Sequence, residues 1–338
     1  MKQAGSRVIV KAKFSGPPNS VFTVRARDAN DLTEKKGGLV KWPLRGVLRI
    51  LGIQLGSVLG EIADTPISFG ATGASEVIEL ELRGHRIRRA GVGIYRVSWI
   101  WEYLEGGTWE PFARTEHKIY ILLDQPQEPW SPRALRPSDD DTPVAWVDAL
   151  ELACDWAAGA TNQDEAARLI TKRINNNPLL FYCVPSFFVC RNSYLLSCFI
   201  RLLKIGVSFP VNCDDCSSAI ATFSNLLGCQ LKVGDIISGR KLITRRILLI
   251  GLDPSCISDW QEGDGFGHHE VAWSPDVAVD QFVFDACLQL DLTKGLEPRP
   301  RPHLATKMRF AKAESRGYSD YFLRSEFALG RGFVRQIR

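Results

Sequence analysis

The chain has 338 residues, 45% of them apolar and 24% charged, with a net charge of +4 from 42 basic and 38 acidic side chains. These are ordinary globular values and exclude disordered, collagenous and coiled-coil chains. The length suits two domains or one large one, and so small a basic excess argues against nucleic acid as a partner. The nine cysteines are unevenly placed, the first being Cys154, with none in residues 1–153. An odd count in a chain this long is not a secreted disulfide framework; it predicts mostly free thiols in a reducing compartment. The N-terminus carries Lys2 and Arg7 but no following apolar core of signal type. The most apolar stretch, Leu179 to Leu203, contains Pro185, Arg191, Asn192 and Arg201 and reads as buried core. The expectation is therefore a cytoplasmic protein, or one exported without a classical signal peptide, and no membrane partner.

The first elements read as strands. Val8, Val10 and Ala12 alternate with Arg7, Ile9, Lys11 and Lys13, and Phe22, Val24 and Ala26 alternate with Thr23, Arg25 and Arg27. Gly56 to Ala74 shows no period and reads as loop. Ile78, Leu80 and Leu82 then alternate with Glu79, Glu81 and Arg83, and Tyr95, Val97, Trp99, Trp101 and Tyr103 share one face of a longer strand. Glu105-Gly106-Gly107 turns the chain into Trp109 to Phe112, and His117 to Leu123 makes a further strand. Successive strands with Gly-rich turns predict an antiparallel β-sandwich, immunoglobulin-like, over residues 1–125. Its aromatic stripe reads as core, and the sandwich is a candidate surface for a protein partner.

A boundary follows. Pro126, Pro129, Pro132, Pro137, Pro143 and the run Asp139-Asp140-Asp141 mark residues 126–143 as a linker. Thr142 is placed to cap a helix beginning with Pro143. Val147, Leu150, Cys154 and Ala157 lie on one face of that helix, which Gly159 stops. Asn162 and Glu165 resemble a capping box opening a second helix, Gln163 to about Ile174, and a third is predicted over Tyr194 to Leu203.

The chemistry concentrates at Cys213. Ala219, Ile220, Phe223, Leu226 and Leu227 give a helical apolar face ending at Gly228, so Cys213 sits at a helix N-terminus, where dipole and free N–H groups favour a thiolate. Asp214 and Asp215 oppose that, so a thiolate here calls for a cationic partner, naturally histidine. Gly267-His268-His269-Glu270 opens one strand-like segment, and Gln281 to Cys287, holding Asp285, is the next. Helix-tip cysteine, strand histidine and neighbouring aspartate form a nucleophile, base and orienter.

Cys213 with Gly228 fifteen residues later, the ending Ala221-Thr-Phe-Ser-Asn-Leu-Leu-Gly228, and His269 sixteen residues before Asp285 together resemble the transglutaminase-like superfamily of papain-fold cysteine enzymes, over about Val144 to Leu292. The resemblance implies an α+β domain over 144–338 following the sandwich. It also implies Cys213 as nucleophile, His269 as general base and acid, and Asp285 as orienter, with His268 the competing base. The oxyanion donors would be the Cys213 main-chain N–H and a second group between Phe187 and Asn212, with Asn192 the side-chain candidate. Function would then be cysteine-dependent acyl transfer on protein or peptide amides, as peptidase, deamidase or transglutaminase, with no cofactor and no metal. Such a fusion also resembles bacterial effectors that modify proteins.

The same residues admit rivals. Cys213 and Cys216 could be a redox pair, Cys213, Cys216, His268 and His269 a zinc set, or the whole a catalytically inactive protein-binding module. Cys216 and the other cysteines read as small packing residues. From Gly295 to Arg338, ten basic residues face four acidic ones, and Pro298, Pro300 and Pro302 alternate with Arg299, Arg301 and His303. That tail is expected to wrap the surface rather than form core.

Overall fold

The computed structural model describes residues 9–29, 58–85, 87, 90–130, 144–237, 241–261, 263, 266–274, 281–291, 302–310, 317–322 and 328–338. It divides into two compact units, Met1–Ile121 and Leu122–Arg338. Residues 131–143, with the Asp139–Asp141 run and the Thr142 cap, and residues 298–301 of the tail lie outside the described residues.

The first unit holds β1 (Ile9–Ala12), β2 (Val21–Asp28), β3 (Glu61–Ser68), β4 (Ile78–Arg83), β5 (Gly93–Glu105) and β6 (Thr108–Ile121). They hydrogen-bond in the order β1-β4-β3-β2-β5-β6, every pair antiparallel. Among the described residues this is one six-stranded sheet, and the second layer of the expected sandwich is not seen. Alternation reports that one strand face is buried; it does not report whether a second sheet or the curl of the same sheet buries it. Ala26, Leu59, Ile62, Leu80, Leu82, Val97, Trp99 and Trp101 form the main core of this unit, so the aromatic stripe is packing.

Two strands differ from expectation for the same reason. β3 occupies part of the segment read as loop. Ile62 and Ile67 are both buried, and their odd separation defeats a period-two reading. A bulge opposite Val24 and Ala26 shifts the register and restores both to the core side. Likewise Trp109–Phe112 and His117 onward are one strand, β6. Its register shifts where Trp101 faces Ala113 and Glu102 faces Pro111, a bulge that accommodates the proline on an edge strand.

On β5, Glu102 is buried and accepts from Arg25 Nε at 2.8 Å and Arg27 Nε at 2.8 Å, with a further contact to Arg27 Nη2. Burial works against the charged carboxyl, but the two guanidinium groups prevail and hold it below its ordinary range. Its stabilisation is then present above the ordinary carboxylate range and lost as pH falls through the depressed value. Glu102→Gln should cost about 1–3 kcal/mol at neutral pH. Thermal unfolding should show the difference from wild type shrinking as pH falls below the ordinary carboxylate range.

The second unit is α+β. Its helices are α1 (Val144–Trp156), α2 (Gln163–Asn175), α3 (Leu196–Ile205), α4 (Cys213–Leu226) and α5 (Tyr318–Phe322). Its strands are β7 (Leu180–Tyr182), β8 (Val189–Cys190), β9 (Ser193–Tyr194), β10 (Phe209–Val211), β11 (Lys232–Ile237), β12 (Ile247–Leu249), β13 (Trp260–Gln261), β14 (Glu270–Ser274), β15 (Phe282–Phe284), β16 (Leu288–Asp291), β17 (Pro302–Leu304), β18 (Met308–Arg309), β19 (Ala328–Leu329) and β20 (Gln336–Ile337). A five-stranded sheet runs β18-β15-β14-β11-β19 and a four-stranded one β13-β12-β16-β17. The Asn162 side chain accepts from Glu165 N–H and caps α2 as its spacing predicts. α3 starts two residues later than expected, because Ser193 and Tyr194 pair with β8 and β20.

Around α4 the unit is organised. Every residue of this helix except Asp214 is buried, so it is a core helix rather than an amphipathic one. Its last carbonyls are satisfied by residues 122–130. Leu123 N–H donates to Leu227 O, Gln127 N–H to Asn225 O, and the fully buried Trp130 gives its indole N–H to Thr222 O at 2.8 Å. Gly228, at φ +97°, passes so close to this strap that a Cβ would lie 2.6 Å from Asp124 N.

The tail is a correction. Ala305, Phe310, Tyr318 and Phe322 are buried, and β18 and β19 are the two edges of the five-stranded sheet. Its basic excess is real, but apolar residues set between the charges carry it into the core. No helix among the described residues is long and apolar enough to cross a membrane.

Candidate active site

Cys213 is the first residue of α4, and the chain leading to it is tightly held. β10 pairs in parallel with β7, Val211 opposite Tyr182. Asn212 then caps the helix: its side chain accepts from Asp215 N–H at 3.1 Å, and the Asp215 carboxylate accepts from Asn212 N–H at 3.2 Å. Asp215 also accepts from the Ser186 hydroxyl at 2.7 Å and from the N–H groups of Phe187, Phe188 and Val189. One fully buried carboxylate thus ties the loop before β8 to the helix tip. Those N–H groups, lying in the segment expected to supply a second oxyanion donor, are committed to Asp215. Asn192 is exposed between β8 and β9, and its recorded bond runs from Gln336 N–H to its carbonyl, not to the helix tip.

β14 and β15 are antiparallel neighbours, with Ala272 opposite Phe284 and Trp273 opposite Val283. That register puts His269 and Asp285, each just outside its strand, at the same end. His269 Nε2 lies 2.9 Å from Asp285 Oδ2, and both residues are 2% exposed. Asp285 Oδ1 accepts from Cys287 N–H at 2.8 Å, and Oδ2 also takes the Tyr318 hydroxyl proton. Tyr318 OH is 3.1 Å from His269 Nε2, but its only proton is already given to Asp285. His269 Nε2 must therefore carry the proton that fills the Asp285 contact. That leaves Nδ1 as the basic nitrogen, buried and without a hydrogen-bond partner among the described residues. Phe266 and Phe322 lie nearly parallel to the imidazole, at centroid distances of 5.5 and 6.2 Å, and fix its plane.

The helix that carries the thiol and the histidine strand are joined through the next residue, Glu270. The Glu270 side chain is in turn clamped to the helix. Arg335 grips it bidentately through Nη1 and Nη2, also donating from Nη1 to Ser218 Oγ at 2.9 Å, and the Ser217 hydroxyl donates to Glu270 Oε1. All four side chains are buried. This pair binds the first turns of α4, which begins at Cys213, to the start of β14, which follows His269.

His268 is placed differently. Half exposed, it bonds Asp214 Oδ1 through Nε2 at 2.8 Å, and its Nδ1 lies 3.5 Å from Asp235 Oδ1. Asp214 holds the imidazole pKa above its ordinary value. Burial, then the Asp214 charge, pushes the Cys213 thiol well up, so the resting group is a thiol that needs a base. Among the described residues, the ligand-competent groups within 4.8 Å of one another are Cys213, Asp214 and His268, and Asp235, His268 and Glu270. Cys216 and His269 are in neither. Cys216 and Cys287 are both buried, and all nine cysteines are free.

Tyr318, Phe322, Glu270 and Arg335 were not singled out from sequence. Tyr318 and Phe322 do carry a signal, an i, i+4 aromatic pair in a basic tail; Arg335 carries none. Tyr318→Phe should slow acylation of Cys213 about tenfold, the worth of one hydrogen bond to a charged group. Release of a chromogenic acyl ester's leaving group would measure it.

No protein-family model matches the sequence, and no curated protein matches it. Among solved structures, the chain is similar to the crystal structure of red sea bream transglutaminase, with 12% identity and a TM-score of 0.40. The match covers 83% of this chain and 48% of that one, so this chain spans about half its length. A likeness at that level carries no assignment of activity.

Proposed function

We propose that the second unit is a cysteine-dependent acyl-transfer enzyme of transglutaminase-like fold, acting on protein or peptide amides. The observation that carries this reading is the buried His269, its Nε2–H held by Asp285 and its Nδ1 unpartnered among the described residues, on the strand that Glu270 ties to the helix beginning at Cys213. His269 Nδ1 takes the thiol proton as the sulfur attacks the amide carbonyl, and returns it to the leaving amine. Asp285 stabilises the imidazolium formed between those steps. The Cys213 main-chain N–H, an orphan donor at the helix tip, faces the charge that develops on the carbonyl oxygen. Water or an amine then resolves the thioester, giving hydrolysis, deamidation or crosslinking according to the acceptor.

A second assignment of the base has its own support, since a ring nitrogen of His268 lies within 4.8 Å of the Cys213 sulfur. Its Nε2 is already spent on Asp214, which favours His269. The test is labelling by iodoacetamide near neutral pH, followed at Cys213 by peptide mass mapping. Wild type should be labelled at Cys213 well before the buried thiols, and Cys213→Ala should lose that fast phase. Labelling of Cys213 no faster than that of the buried thiols removes Cys213 as nucleophile.

A further inference from the structure

We propose that Cys213, Asp214 and His268 form a binding site for a divalent transition ion of the zinc class, closing over the thiol. Sulfur, carboxylate oxygen and imidazole nitrogen lie within 4.8 Å of one another, with His268 Nε2 to Asp214 Oδ1 at 2.8 Å and Cys213 Sγ to the same oxygen at 3.8 Å. Tetrahedral zinc, with bonds of about 2.0–2.3 Å, separates its ligand atoms by roughly 3.3–3.8 Å. The ion asks that His268 and Asp214 part by a few tenths of an ångström and that the sulfur and the imidazole nitrogen, now within 4.8 Å, settle at the same ligand spacing.

A second observation points to the same ion. Asp235 Oδ1 has no hydrogen-bond partner among the described residues and faces His268 Nδ1 at 3.5 Å, from a side chain that is 45% exposed. A carboxylate behind a histidine is the usual support of a metal-bound imidazole: it draws the N–H to Nδ1 and presents Nε2 to the ion. Asp235 and Glu270 form a second group with the same His268, within 4.8 Å of one another, and Arg335 pairs with Glu270. Thiolate, imidazole and one carboxylate suit zinc rather than calcium or magnesium. Cys213 is nearly buried while the His268 side chain is half exposed, so the ion enters from solvent and keeps a water as fourth ligand. Binding displaces the thiol proton, and any proton on His268, to solvent; no electron moves. The consequence for catalysis rests on the acyl-transfer reading: a sulfur bonded to zinc cannot attack a carbonyl, so the ion is a reversible inhibitor.

The experiment uses the full chain with the exposed Cys190 and Cys198 changed to serine, titrated anaerobically with cobalt(II) and then with zinc. One equivalent of cobalt should give a sulfur-to-cobalt charge-transfer band and the visible spectrum of a four-coordinate ion, and zinc should displace it. Cys213→Ser should remove the charge-transfer band, and Asp214→Asn and His268→Gln should each weaken binding at least tenfold. Zinc should slow iodoacetamide labelling of Cys213 at least tenfold, with chelator restoring it. Absence of the band, its survival in Cys213→Ser, or unchanged affinity in both Asp214→Asn and His268→Gln overturns the site. Slow labelling of metal-free Cys213 overturns the acyl-transfer reading alone, because the cobalt spectrum still reports the ligands.

Discussion

His269→Ala should lower the rate at which Cys213 is acylated by an activated ester at neutral pH by about 10²–10⁴-fold, the usual worth of a positioned general base. The size follows from the resting state of the thiol. Burial and Asp214 push its pKa well up, so at neutral pH almost none is thiolate, and the nucleophile forms only as the proton leaves. Without His269 the thiol must ionise alone, and the thiolate fraction below its pKa rises tenfold per pH unit. The variant's rate should climb with that slope through the neutral range, while the wild-type profile is shallower. His268→Ala should cost less than tenfold, since its Nε2 is held by Asp214. Stopped-flow release of the ester's leaving group across pH separates the two histidines; equal losses would shift the base to His268.

The second large effect is on stability. Glu270→Ala leaves the buried Arg335 guanidinium and the Ser217 hydroxyl without their carboxylate. Removing one partner of a buried ion pair costs about 3–5 kcal/mol, and a unit of this size loses about 2–4 °C per kcal/mol. Thermal unfolding should therefore fall by roughly 6–20 °C. Replacing both partners, Glu270→Leu with Arg335→Leu, should recover at least half of the loss, because no charge is then left buried. A double variant no more stable than the single one would mean that the pair itself, rather than the stranded charge, holds helix and strand together. The same change should slow acylation of Cys213, since Glu270 joins the histidine strand to the helix tip.

Much of the site was legible because it depends on local order. A capped helix with a cysteine at its tip follows from Asn212, Asp215 and the apolar face ending at Gly228. Two adjacent antiparallel strands follow from alternation and a short connection, and their pairing is what brings Asp285 to His269. Asp214 and Asp215 were equivalent as a charge run, yet one turns back into the cap and the other faces His268. That choice is made by the loop of Ser186 to Val189, which supplies donors to one of them only. The tail was misread because composition averages over charges and cannot report that Tyr318 and Phe322 sit one helical turn apart.

The uneven cysteines already divided this protein into a thiol-free strand-rich part and a mixed part with one distinctive thiol. Capping, periodicity and turn chemistry act over a few residues, so local order alone sets which residue types stand at a helix tip and at strand ends. Only the tertiary structure decided that Tyr318 and Phe322 complete the histidine's surroundings and that Arg335 ties its strand to the helix. It also decided that the first unit's described strands form one sheet. Those outcomes depend on contacts between residues tens of positions apart, where burial and charge pairing choose the partner and local pattern is silent.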